Sequence, residues 1–119
     1  MTKVLVVDDS DSFRFVVSEM LKLRVPGVDI VEADDGSQGL EILEKYDYNF
    51  DVIVTDLQMP IMDGEEFAKN VRFVDKQVPL FLISSWTPGV KNVDLFTGIY
   101  DKAYVADLVS DIKKLRSSP

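Results

Sequence analysis

The sequence predicts an α/β domain built as a doubly wound, five-stranded parallel sheet. Short apolar runs recur along it: Val4-Leu5-Val6-Val7, Val52-Ile53-Val54, Leu80-Phe81-Leu82-Ile83 and, more weakly, Ile99-Tyr100. They are continuous rather than alternating, as in strands covered on both faces. Segments with helical spacing lie between them, and strand–helix alternation implies right-handed crossovers. The runs also end on residues that carry chemistry: Asp8–Asp9, Asp56, Ser84 and Lys102. Open parallel sheets bind ligands outside the carboxyl ends of their strands. Three acids, one hydroxyl and one ammonium gathered there suit Mg²⁺ and a transferable phosphoryl group.

After the first strand, Ser10 or Asp11 can cap a helix over about Asp11–Arg24, with Phe13, Val16, Val17, Met20 and Leu21 on one stripe. Pro26-Gly27 ends that unit, and Val28-Asp29-Ile30-Val31 reads as the second strand. Asp34 or Asp35 then caps a helix whose apolar side includes Leu40, Leu43 and Tyr46. The third strand spans Asp51–Thr55, with Asp56 at its end and a loop from Gln58 to Gly64. A third helix carries Phe67, Val71 and Val74, and Pro79 opens the fourth strand at Leu80–Ile83. Trp86 to Thr97 contains a proline and little helical pattern, so only a short fourth helix is expected there. The last helix covers about Val105–Leu115, with Leu108, Val109, Ile112 and Leu115 inward and basic residues at its C-terminal end. Residues 1–116 read as one domain and 117–119 as a tail or the start of a linker.

Composition narrows the function. The 119 residues suit one domain, and 46% hydrophobic with 29% charged content supports a packed core. A net charge of −8 argues against direct nucleic-acid binding and against an anionic membrane surface. With no cysteine and no histidine, disulfides, thiolate sites, His-ligated zinc and histidine general bases are excluded, and any phosphohistidine must belong to a partner. The chain enters a strand at once and has no apolar stretch near the roughly 20 residues of a membrane span, so a soluble cytoplasmic protein is expected.

The acid pair Asp8-Asp9, the stretch Asp56-Leu57-Gln58-Met59-Pro60-Ile61-Met62-Asp63-Gly64, the hydroxyl Ser84 and Lys102 occur in order. With them, the chain resembles from end to end the receiver domain of two-component response regulators, of the stand-alone CheY-like type. The resemblance implies strand order 2-1-3-4-5 and five helices. It implies that Asp56 accepts a phosphoryl group from a phosphohistidine of a sensor histidine kinase or phosphotransfer protein. Asp9, Asp56 and the backbone carbonyl of Gln58 would bind Mg²⁺ directly, and Asp8 through water or by charge. Lys102 would pair with Asp56 and then with a phosphoryl oxygen, and Ser84 would be the switch hydroxyl. Such a protein is a signalling switch rather than an enzyme, although it promotes its own phosphorylation and slow dephosphorylation. With no output domain in the chain, a downstream protein effector is expected, unless the chain is a receiver excised from a longer regulator, which its Ser-Ser-Pro end permits. The residue types fit the chemistry, because phosphoryl transfer is chiefly positioning and charge neutralisation.

Plainer roles compete for some residues. Asp8 and Asp9 could serve only as turn or cap acids, Ser85 competes with Ser84, and Asp63-Gly64 read better as a helix start than as phosphoryl contacts. Only 17 residues separate Ser84 from Lys102, about one helical turn fewer than the family usually has. Ile99 stands at the place of the family's switch aromatic, with Tyr100 one step off and therefore facing the other side. Ala103 replaces the proline that usually follows the lysine, so a trans Lys102–Ala103 peptide is expected. Trp86, two residues after Ser84, could shield a phosphoryl group from water, although an exposed or packing aromatic is its plainer reading. Two rivals remain. One is a pseudo-receiver that binds partners without phosphorylation. The other is a phosphoaspartyl hydrolase using Asp9, since Asp9-Ser10-Asp11-Ser12-Phe13 resembles the Asp-x-Asp-x-Thr signature of haloacid-dehalogenase-like phosphatases.

Overall fold

The computed structural model of the chain describes residues 1–117, the last by its backbone. Five parallel strands lie in the order β2-β1-β3-β4-β5: β1 Thr2–Val7, β2 Val28–Ala33, β3 Val52–Thr55, β4 Leu80–Ser84 and β5 Gly98–Asp101. Each central apolar run is a strand, and most strands extend one or two residues beyond the run. Asp51 is the exception. It precedes β3, where its carboxylate accepts from the Lys3 N–H (2.8 Å) and pairs with Arg116 (3.3 Å).

Successive strand residues face opposite sides, so each run feeds two cores. Leu5, Val7, Ile53, Leu80 and Leu82 pack with Leu43, Phe67 and Val71 on one face. Val4, Val6, Val52, Val54, Phe81 and Ile83 pack with Val17, Leu21, Leu108, Val109 and Ile112 on the other. The helices that deliver these residues are α1 Asp11–Arg24, α2 Gly36–Lys45, α3 Gly64–Val74 and α4 Val105–Ser117. Ser10, Asp35 and Asp63 are their respective caps for the first three, each side chain accepting a backbone N–H three residues on.

Four expected inward residues lie outside. Val16, Val74, Leu115 and Tyr46 are all exposed. The buried face of α1 is Arg14, Val17, Ser18 and Leu21, rotated from the predicted stripe. Val74 is the last residue of α3, and Leu115 lies in the last turn of α4. Tyr46 is the C-cap of α2, and the Lys3 ammonium lies 3.8 Å from its ring centroid.

The larger correction concerns the helix count. Among the described residues there are four α-helices, not five. The expected fourth helix is replaced by two 3-10 turns, Thr87–Gly89 and Val93–Leu95. Two side chains of α3 pin this segment. The Glu65 carboxylate accepts from the Asn92 N–H (2.9 Å) and the Lys91 N–H. Arg72 donates to the Leu95 carbonyl (2.9 Å) and the Val78 carbonyl (2.8 Å). Of the tail expected at 117–119, Ser117 ends α4, and 118–119 lie outside the described residues. No helix among the described residues is long and apolar enough to cross a membrane.

Candidate functional site

The carboxyl ends of β1, β3, β4 and β5 converge, as the sheet order requires. The β1 end carries Asp8 and Asp9. The Asp8 N–H donates to the Ala33 carbonyl (3.1 Å), and its Oδ1 accepts from the Ser10 N–H (2.8 Å). Asp8 is therefore both a turn residue and a pocket acid. It is buried, whereas Asp9 is exposed. Asp56 follows β3, with its N–H on the Val7 carbonyl (2.9 Å) and its Oδ1 accepting from the Leu57 N–H (2.8 Å). Carboxylate oxygens of Asp8, Asp9 and Asp56 all lie within 4.8 Å of one another.

Lys102 sets its ammonium against two of these acids. Its Nζ lies 3.0 Å from Asp8 Oδ2 and 3.5 Å from Asp56 Oδ2. The expected pairing with Asp56 is thus shared, and the nearer partner is Asp8. The Phe13 ring, centred 4.3 Å from Nζ, covers another side of the ammonium. Lys102 opens a short 3-10 turn after β5, and its peptide to Ala103 is trans, as expected. The Ala103 N–H is held instead by the Asp101 carboxylate (2.8 Å).

Ser84 is the last residue of β4 and is buried, while Ser85 is exposed. The Ser84 hydroxyl accepts from the Trp86 N–H (3.1 Å). The Trp86 side chain is 56% exposed and leans over Gly89, where an added Cβ would meet its ring at 2.8 Å. Ile99 packs on the face of the 3-10 segment, and Tyr100 on the opposite face, where its hydroxyl donates to Asp111 (2.5 Å). Tyr100 is therefore turned away from the segment that a switch aromatic would have to reach.

The loop after Asp56 is held by its glycine. The Gly64 N–H donates to the Leu57 carbonyl (2.7 Å), and a Cβ there would lie 2.1 Å from the Asp56 carbonyl oxygen. No side chain fits. Asp63 and Gly64 serve as cap and close-packed helix start, as their plainer reading expected. Gln58, whose carbonyl is the other expected ligand, is exposed in this loop.

Electrostatically the pocket is unbalanced. Burial, and then the neighbouring Asp8 charge, push the Asp56 carboxyl up to about 6, against the lowering effect of Lys102 and the Leu57 N–H. Burial also raises Asp8, opposed by the Ser10 N–H and Lys102. Asp8 Oδ2 is buried with no directed hydrogen bond, its contact with Lys102 being an ion pair. Three carboxylates against one ammonium leave two formal negative charges. An all-oxygen donor set with that deficit fits a hard divalent cation such as Mg²⁺.

Arg14 escaped the sequence reading. It is a buried arginine that donates to the Asp8 carbonyl (2.5 Å) and to Glu32 (2.9 Å). The available signal was its place on α1, at i−3 and i−7 from Val17 and Leu21, where a cation must find partners.

Comparison with known proteins agrees with this geometry. The response regulator receiver domain family matches residues 4–97. The match stops before Lys102, which the fold nonetheless brings to the acids. Chemotaxis protein CheY1 of Helicobacter pylori is 38% identical over 87 residues, covering 70% of this chain and 67% of its own. Sensor histidine kinase CheAY of the same species is 39% identical over 84 residues. The chain spans only 10% of that kinase, and 22–24% of three methylesterase relatives. Among solved structures, Vibrio cholerae CheY4 superposes with a TM-score of 0.80 at 34% identity, covering 96% of this chain and 98% of its own. Thermotoga maritima TrrA, solved in complex with Mg²⁺-BeF, gives 0.81 at 25% identity, covering 97% and 99%. By its sequence match, its strand order and the acids at its sheet's carboxyl edge, this chain belongs to the response regulator receiver domain family.

Proposed function

We propose that the chain is a phosphorylation-dependent switch in which Asp56 accepts a phosphoryl group from the phosphohistidine of a sensor histidine kinase or phosphotransfer protein. The observation that carries this is the meeting of Asp8, Asp9 and Asp56 with Lys102 at the end of a parallel sheet. An Asp56 carboxylate oxygen forms the new O–P bond as the donor's P–N bond breaks, and the imidazole retains that electron pair. Asp9, Asp56 and the Gln58 carbonyl would hold Mg²⁺, with Asp8 acting by charge or through water. When bound, the ion neutralises the crowded carboxylates and the incoming phosphoryl oxygens. Lys102 screens Asp8 and Asp56 from each other beforehand and then offers its ammonium to a phosphoryl oxygen.

Ser84 supplies the switch. Its hydroxyl accepts from the Trp86 N–H, so its own hydrogen is left to be donated to a phosphoryl oxygen. That new bond would pull the start of the 86–97 segment towards the site. A downstream protein reads the change, in the cytoplasm, without direct contact to nucleic acid or membrane. The CheAY relative, a sensor histidine kinase by name, supports a kinase as the donor's class.

The test is phosphoryl uptake from a small phosphodonor by Asp56→Asn and Asp9→Asn proteins. Loss in Asp56→Asn with slower uptake in Asp9→Asn is expected. Uptake surviving in Asp56→Asn would reassign the acceptor, and Asp9 would then revive the hydrolase reading.

A further inference from the structure

We propose that Arg14 is a positioning residue for the divalent cation: its guanidinium locks the peptide between Asp8 and Asp9 and so aims the Asp9 carboxylate into the pocket. The proposal rests on the reading of these acids as a Mg²⁺ site.

Arg14 projects from the first turn of α1 and is 8% exposed. One terminal nitrogen donates to the Asp8 carbonyl at 2.5 Å, and Nε donates to Glu32 Oε1 at 2.9 Å. The other terminal nitrogen pairs with Asp34 at 3.2 Å and with Asp11. A single planar fork thus ties the ends of β1 and β2 to the start of α1. Lysine, a point donor on a flexible stem, cannot serve these directions together.

The Asp8 carbonyl completes a set. The other polar atoms of Asp8 are already engaged, by the Ala33 carbonyl, by the Ser10 N–H and by Lys102. The Asp8–Asp9 peptide is held from two sides, by the Ser10 N–H on Asp8 Oδ1 and by Arg14 on the Asp8 carbonyl, and loss of the second loosens the rotation that sets the direction of Asp9. Asp9 is the exposed acid of the three, so the direction of its backbone decides where its carboxylate arrives. Arg14 is not there to neutralise the pocket. Asp11, Glu32 and Asp34 already meet its charge, and it touches Asp8 at the carbonyl oxygen.

Charge and geometry therefore predict opposite signs. Removing a nearby cation should tighten Mg²⁺ binding if only charge counts, and weaken it if Arg14 positions Asp9. Mg²⁺ is titrated calorimetrically into the unphosphorylated full chain as wild type, Arg14→Gln and Arg14→Lys. Groups that orient metal ligands typically change affinity by about 10–100-fold when lost, so Arg14→Gln is expected to weaken binding roughly tenfold or more. Arg14→Lys should weaken it severalfold despite keeping the charge. Both should still unfold cooperatively without metal. Equal or tighter binding by Arg14→Gln overturns the proposal, as does wild-type affinity in Arg14→Lys, which alone decides if the glutamine variant does not fold. Failure of the wild type to bind Mg²⁺ would instead overturn the metal site itself, and the proposal with it.

Discussion

Replacing Asp56 by asparagine should stabilise the metal-free fold at neutral pH while abolishing phosphoryl uptake. The Asp56 carboxyl is raised from 3.8 to about 6 because burial and Asp8 disfavour its charge more than Lys102 favours it. A carboxyl with a raised folded pKa holds its proton more tightly in the folded than in the unfolded state. Its stabilising contribution is full below about pH 4 and is lost as pH rises through about 6. The shift is 6 − 3.8, about two units, and at ~1.4 kcal/mol per unit it is worth about 2–3 kcal/mol. Asparagine keeps an oxygen for the Leu57 N–H and carries no charge. The variant should therefore match the wild type near pH 4 and exceed it by about 2–3 kcal/mol above pH 7, on the order of 10 °C in Tm for a domain this size. Urea unfolding in a chelator at pH 4.5 and 7.5 measures the gap. A variant no more stable than wild type at pH 7.5, or a gap that is the same at both values, would show that Asp56 carries no such strain in the fold. Mg²⁺ should narrow the gap, since a ligand stabilises the state that binds it.

Three further substitutions probe the surroundings. Gly64→Ala forces a Cβ to within 2.1 Å of the Asp56 carbonyl. Overpacking of this kind costs about 1–3 kcal/mol or more, so denaturant unfolding should show that loss and uptake should fall with it. Phe13→Leu removes the ring beside the Lys102 ammonium, an interaction worth ~0.5–1 kcal/mol when exposed. Uptake rates should drop roughly two- to fivefold, and an unchanged rate would free Lys102 from any dependence on the ring. Trp86→Ala should shorten the phosphoprotein's lifetime, followed by intact mass over time. Because the ring leans on Gly89 and is half exposed, an unaltered lifetime would show that it does not shield the phosphoryl group.

Much of the architecture was legible because the strands are continuous apolar runs. Val4 to Val7 and Leu80 to Ile83 call for burial on both faces, and in a chain that alternates such runs with helical segments a parallel sheet covered on both sides supplies it. The site was legible for a related reason. Polar residues at the end of such runs stand where the sheet stops, so Asp8 and Asp56 fall together once the strands are placed, and Ser84 ends the next strand. Lys102 was harder to see, since a lone lysine in a loop has no periodic signature, and its recognition depended on the family pattern. The helix faces were less legible. The α1 stripe looked correct from Phe13, Val16 and Met20, yet the buried side holds Arg14 and Ser18. A hydropathy pattern counts both as outward, and it is the acceptors on β1 and β2 that make an inward arginine tolerable. The segment 86–97 was legible as too short for a full helix. Its conversion into two 3-10 turns depends on Glu65 and Arg72, partners 23 to 27 residues away along the chain, which no local pattern announces.

Everything proposed for this chain turns on Asp56 being a metal-dependent phosphoryl acceptor. The most direct test is intact mass and peptide mapping after exposure to a small phosphodonor, with and without Mg²⁺. A single phosphoryl adduct that requires Mg²⁺ and maps to the peptide holding Asp56 is the predicted result. An adduct on another residue, or none in the presence of Mg²⁺ with either a small donor or a phosphorylated histidine kinase, would contradict it.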